Sequence, residues 1–90
     1  MPGNSLYEID YLEIVTKKHI PALPVAVKAQ IKKVIEDRLT VDPVRFGKPL
    51  RYSLKGHRRL RVGDYRIVYR IESRTVLVVG IKHRKDIYDE

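Results

Sequence analysis

The spacing of apolar positions along this chain changes once, near Gly47. In Tyr7-Glu8-Ile9-Asp10-Tyr11-Leu12 apolar and acidic residues alternate until Leu12, the mark of a half-exposed strand. Ile14 to Ile20 then suits a short helix, ended by Pro21 and Pro24. Pro24 fits the first turn of a second helix, where its missing N–H is no loss. In that helix Val27, Ile31, Val34, Ile35 and Leu39 recur at i, i+4, i+7, i+8 and i+12. They form one apolar stripe of an amphipathic helix about four turns long, with Lys28, Lys32, Lys33 and Glu36 on the other faces. Asp42-Pro43 closes it.

After Gly47 the period becomes two. Pro49 to Leu54, Arg58 to Val62, Tyr65 to Glu72 and Thr75 to Lys82 read as strands separated by turn residues. Strand, two helices, then a run of strands predicts an α+β fold: a three- to four-stranded antiparallel sheet with the helices against one face. Gly63-Asp64 suits a two-residue hairpin loop, with Gly supplying positive φ. That loop sets Val62 opposite Tyr65, Arg61 opposite Arg66 and Leu60 opposite Ile67. One face then carries Leu60, Val62, Tyr65, Ile67, Tyr69 and Ile71. The other carries Arg59, Arg61, Arg66 and Arg70, with Val68 among them.

Like charges directly opposite each other destabilise a sheet, and only Asp64 and Glu72 are acidic within the hairpin. The helices need only the apolar face. The arginine face therefore points to phosphate, which guanidinium groups bind with two parallel hydrogen bonds. For the last strand, a three-residue loop at Glu72-Ser73-Arg74 places Gly80 opposite Arg66, with room above it, and Lys82 on the basic face. A two-residue loop sends Lys82 to the other face.

Charge and composition narrow the chemistry. The formal charge of the 90 residues is +8. Residues 1–50 hold 8 Lys/Arg against 6 Asp/Glu, whereas residues 51–90 hold 11 against 5, so most of the excess lies in the strand-rich half. This asymmetry suits a polyanionic partner. The length fits a single domain over residues 1–90. Cysteine is absent, which excludes disulfides, Cys-ligated metals and thiol catalysis. Nothing at the N-terminus resembles a signal peptide, and the run Val76–Ile81 is far shorter than the ~20 residues of a membrane span. The sequence has no carboxylate pair, metal-ligand spacing, phosphate-binding glycine loop or Ser-His-Asp pattern. His19, His57 and His83 read as surface residues.

Arg, Lys, Tyr and His suit metal-free cleavage of RNA, whose own 2′-OH attacks the adjacent phosphorus. A protein then has to align the groups, stabilise the charged phosphorane and move two protons. Arginine stays protonated and is no base. Tyr88, a lysine or His83 is the candidate for proton transfer, and a tyrosine needs cationic neighbours such as Lys82, Arg84 and Lys85 to ionise more easily.

The stretch Pro49-Leu50-Arg51…Leu54-Lys55-Gly56…Arg59-Leu60-Arg61-Val62-Gly63-Asp64-Tyr65-Arg66-Ile67-Val68-Tyr69, closed by His83-Arg84-Lys85-Asp86-Ile87-Tyr88, resembles the RelE/ParE toxin superfamily. The resemblance covers nearly the whole chain. It implies a RelE-like fold similar to microbial RNases, and a cytoplasmic toxin of a type II toxin–antitoxin pair. The RelE branch implies a ribosome-dependent endoribonuclease that cuts mRNA in the ribosomal A site without metal or other cofactor. Its partners are that mRNA and a cognate RelB-like antitoxin, with no membrane. By the same resemblance Arg66 contacts the scissile phosphate, and Tyr88 stacks on a base or takes part in proton transfer. Arg59 and Arg61 hold the RNA backbone, with Arg51 and Lys55 as further basic positions. Aligning on the final tyrosine makes Lys82 the second catalytic cation, while aligning on the His-Arg pair makes it Arg84, the preferred choice. The two residues after Tyr88 leave little room for the C-terminal helix of some relatives. The ParE-like branch implies instead a non-enzymatic inhibitor of DNA gyrase, and a third alternative is an inactive member that only binds nucleic acid.

Overall fold

The computed structural model describes residues 6–86, Ser53 by its backbone alone. Strands β1 (Glu8–Tyr11), β2 (Lys48–Pro49), β3 (Arg58–Val62), β4 (Tyr65–Glu72) and β5 (Thr75–His83) form one sheet in the order β1-β5-β4-β3-β2. β1 runs parallel to β5, and every other neighbouring pair is antiparallel. Between β1 and β2 lie a π-helical turn (Val15–His19), helix α1 (Val25–Val34) running on into a second π-helical turn (Ile35–Leu39), and a short helix α2 (Pro43–Phe46).

The amphipathic stripe packs as its spacing requires. Ile31, Ile35 and Leu39 are buried, and Val27 and Val34 pack against them. They meet Leu60, Val62, Ile67, Tyr69, Val76, Val78 and Ile81 from one sheet face, with Val15 and Leu23 closing the layer. Burying side chains of this kind contributes roughly 1.5–3 kcal/mol each. The helices thus cover a single face and leave the other open.

Two expectations change, and the register left open at the β4–β5 loop is resolved. The strand expected over Pro49–Leu54 stops at Pro49: Tyr52–Leu54 is a 3-10 turn, and Tyr52 takes a left-handed backbone (φ 58°) that no strand tolerates. Asp42-Pro43 ends one helix and also begins another. The Asp42 carboxylate accepts from Arg45 N–H at 3.2 Å, and Pro43 takes the first helical position. The turn between β4 and β5 has two residues, Ser73 and Arg74, since Glu72 pairs with Thr75. By parity that loop alone sends Lys82 to the helix face. Yet Val68 pairs with Gly80 while Tyr69 pairs with Val78, so Val79 is an extra residue and β5 bulges there. Beyond the bulge Lys82 lies opposite Arg66, and Gly80 opposite Val68 rather than Arg66.

One contact set anchors α2 to the sheet. Arg58 and Tyr69 face each other across β3 and β4 on the helix side. Tyr69 donates its hydroxyl to Pro43 O at 2.6 Å, and Arg58 Nη2 donates to Val44 O at 2.6 Å and Gly47 O at 3.1 Å. A Cβ at Gly47 would overlap the Tyr69 hydroxyl, so this position needs glycine for space. Burial pushes the Tyr69 hydroxyl up to about 12, with Asp42 adding to the rise and the Arg58 guanidinium opposing it.

Candidate nucleic-acid interface

The Gly63-Asp64 loop forms as expected, with Gly63 at φ 60°, and it fixes the register of β3 on β4. Arg61 pairs with Arg66, and Arg66 in turn pairs with Lys82. Residues paired in this way project from the same face with Cβ atoms about 5 Å apart. Three cations therefore stand in a row across three adjacent strands, on the face the helices leave open. Arg59, opposite Val68, and Lys48, opposite Arg59, extend the same face along β3 and β2.

Among the described residues the row has no acidic partner: Arg61, Arg66 and Lys82 form no ion pair with a described carboxylate. Arg66 is half-buried, and its Nε is enclosed without a hydrogen-bond partner among the described residues. Such an atom is a donor waiting for an acceptor, because an unmade buried hydrogen bond is unfavourable by roughly 1–3 kcal/mol. Arg70, expected on this face, is engaged instead: its Nε lies 2.6 Å from Glu72 Oε2.

The remaining basic positions are dispersed. Arg84 follows β5 in a 3-10 turn (Arg84–Asp86). Its backbone N–H donates to Asp64 O at 2.7 Å, and its Nε lies 3.7 Å from Asp64 Oδ1. It thus sits beside the β3–β4 loop, past the end of the row. Arg51 and Lys55 are exposed in the β2–β3 connection, at the opposite end of β3. Tyr88 lies outside the described residues. His83 pairs with Tyr65, whose ring it meets edge-on at 5.1 Å, and its Nδ1 accepts from Lys85 N–H at 3.1 Å. Tyr65 belongs to the helix face, so His83 does as well.

Two features escaped the sequence. His19, read as a surface residue, accepts a hydrogen bond from Ile81 N–H at 3.2 Å. Burial, and then the Lys82 charge, lower its pKa. Lys48 joined the open face only once its pairing partner was visible. No helix among the described residues is long and apolar enough to cross a membrane.

The described residues thus form an α+β sheet with helices on one face and a basic row on the other. Residues 9–88 match the family described as the ParE toxin of the type II toxin–antitoxin system parDE. The chain belongs to this RelE/ParE toxin family. It is 38% identical over 74 residues to toxin RelG of Mycobacterium tuberculosis, a match spanning 80% of this chain and 85% of that protein. It is 34% identical over 73 residues to toxin RelE of the same organism, spanning 79% of this chain and 75% of that one. Among solved structures, the toxin–antitoxin complex RelBE2 from M. tuberculosis contains a chain with a TM-score of 0.81 and 31% identity. That superposition covers 90% of this chain and 94% of the other.

Proposed function

We propose that this toxin is a RelE-type endoribonuclease that cuts mRNA on the ribosome in the cytoplasm and needs no metal. The observation that carries this reading is the row Arg61–Arg66–Lys82, which meets no described carboxylate and is centred on an arginine whose enclosed Nε has no hydrogen-bond partner among the described residues. The RelG and RelE names of its similar relatives support it. In the reaction the substrate 2′-OH attacks phosphorus, the bond to the 5′ oxygen breaks, and a 2′,3′-cyclic phosphate and a 5′-OH result. Arg66 and Lys82 hold the phosphate oxygens and stabilise the added charge of the phosphorane. Arg59 and Arg61 grip the adjoining backbone, with Arg51, Lys55 and Arg84 further out. Tyr88 stacks on a base or carries a proton, as the family resemblance implies. An acidic RelB-like antitoxin covers the same face when the toxin is silent.

The test is a cell-free translation reaction with purified protein, read by primer extension. Cuts confined to translated message with cyclic-phosphate ends, and absent with Arg66→Ala, are expected. The ParE description of the matching family favours a second reading, gyrase inhibition by protein contact. Intact mRNA together with blocked supercoiling by gyrase would establish that reading instead.

A further inference from the structure

β1 accompanies β5 only as far as the Tyr11–Val78 pair. Leu12 N–H still donates to Val78 O at 3.0 Å, and the chain then enters the turn at Val15–His19. From Val79 onward no strand among the described residues lies beside the outer edge of β5, and on the inner edge the pairing with β4 resumes one residue out of phase. A strand end that is open on one edge and bulged on the other is held in register by the burial of Ile81 and by whatever bonds its open edge. Here a slip by one residue matters, because it would carry Lys82 from the open face to the helix face.

His19 meets this edge where the slip would begin. Its Nδ1 accepts the outward-facing Ile81 N–H at 3.2 Å, between Gly80 and Lys82. The ring lies against Gly80, where an added Cβ would sit 3.7 Å from His19 Cε1. On the other side the same pairing phase continues to Arg84, whose N–H donates to Asp64 O. The end of β5 is thus held from both edges.

We propose that His19 is the positioning residue for Lys82: by accepting the Ile81 N–H it replaces the missing length of β1 and locks β5 in the shifted register that sets Lys82 beside Arg66. Lys82's part in cleavage rests on the function proposed above, whereas the hold on the strand does not. The bond requires an unprotonated Nδ1. The charged and titratable groups that share a cavity with His19 are Lys18 from its own turn, Lys82 and His83 from β5, Tyr65 from β4 and Asp86 beyond β5. Burial and the Lys82 charge favour the neutral imidazole that the bond needs.

The experiment compares His19→Ala with His19→Asn, whose Oδ1 can accept the same N–H. Two readouts need no catalysis: amide hydrogen exchange at Ile81, and the cross-strand Arg66–Lys82 contact seen by NMR. In His19→Ala, exchange at Ile81 rises about tenfold or more, in line with the loss of one hydrogen bond, while Ile67 in the core stays protected. His19→Asn restores both. In the cleavage assay His19→Ala lowers kcat about tenfold with KM nearly unchanged, and adds nothing in a Lys82→Ala background, as expected of residues acting through one another. Unchanged exchange at Ile81 with the Arg66–Lys82 contact intact overturns the proposal. Equal additive losses in both backgrounds, unrelieved by asparagine, overturn it too. If the wild-type protein cuts no mRNA, the ribonuclease reading falls alone, and exchange at Ile81 still decides the role of His19.

Discussion

Lys82 stands opposite Arg66 because β5 carries one residue more than the strand beside it. With Arg61 on Arg66's other side, the central arginine is flanked by cations at both pairing positions. A sheet selected for stability alone avoids this, since directly opposed like charges are unfavourable by a few tenths of a kcal/mol to about 1 kcal/mol. Removing one should therefore stabilise the fold. Arg61→Thr, which keeps a good strand former, is expected to raise the melting temperature by about 2–4 °C while RNA cleavage falls. Thermal denaturation followed by circular dichroism checks the first half. A melting temperature that drops together with activity would show that Arg61 is structural.

The β3–β4 register was legible because Gly63-Asp64 is a loop with one strongly preferred geometry, and the parity of every arginine follows from it. The amphipathic stripe from Val27 to Leu39 was legible for the same kind of reason, a long run with a single period. The bulge at Val79 was not. It lies inside Val76-Leu77-Val78-Val79, where every residue is apolar, so a shift by one leaves no trace in the hydrophobic pattern. The role of His19 was hidden further, because it depends on where β1 stops along β5, a contact between segments 62 residues apart. Tyr52 misled in the other direction: an aromatic residue favours strands, but here its left-handed backbone ends one.

The Arg58–Tyr69 pair predicts a pH limit on stability. In the unfolded chain a tyrosine titrates near ~10, whereas in the folded protein burial pushes Tyr69 up to about 12. Above the lower value the unfolded state binds fewer protons than the folded one. The stability contributed is thus complete below pH ~10 and is lost as the pH rises toward 12. Urea denaturation at stepped pH should show this decline, and Tyr69→Phe should remove much of it. At neutral pH the same substitution is expected to lower stability by about 1–2 kcal/mol, since Pro43 O loses its buried donor. An unaltered alkaline profile in Tyr69→Phe would mean that other groups set it.

Lys82 and Arg84 compete for the place of second catalytic cation, and their surroundings separate them. Lys82 is paired with Arg66, whereas Arg84 lies past the strand end, within 3.7 Å of Asp64 and well exposed. Lys82→Ala is expected to lower kcat by about 10²-fold, the scale of losing one preorganised charge-stabilising group. Arg84→Ala should cost less than about tenfold. Asp64→Asn should shift stability by under about 0.5 kcal/mol, because exposed ion pairs contribute little. Single-turnover cleavage by the Lys82 and Arg84 variants and urea denaturation of Asp64→Asn are the checks, and a larger defect in Arg84→Ala would return the role to the His83-Arg84 pair.

Binding should depend on salt in a way that counts the cations of the open face. Each phosphate neutralised on a single strand adds about 0.7 to the slope of log affinity against log salt. An RNA oligonucleotide with 2′-deoxy substitution at the cut site binds without being cleaved, so titrations at several salt concentrations isolate this term. Arg61→Ala and Lys82→Ala should each reduce the slope by about 0.7, and the double variant by about twice that. Lys33→Ala is the control, since Lys33 lies on the helical side and its Nζ already contacts Asp37 Oδ2 at 3.1 Å. It should leave the slope unchanged. Equal reductions in all three single variants would mean that RNA senses only the net charge of the protein, and the open face would lose its claim as the binding surface.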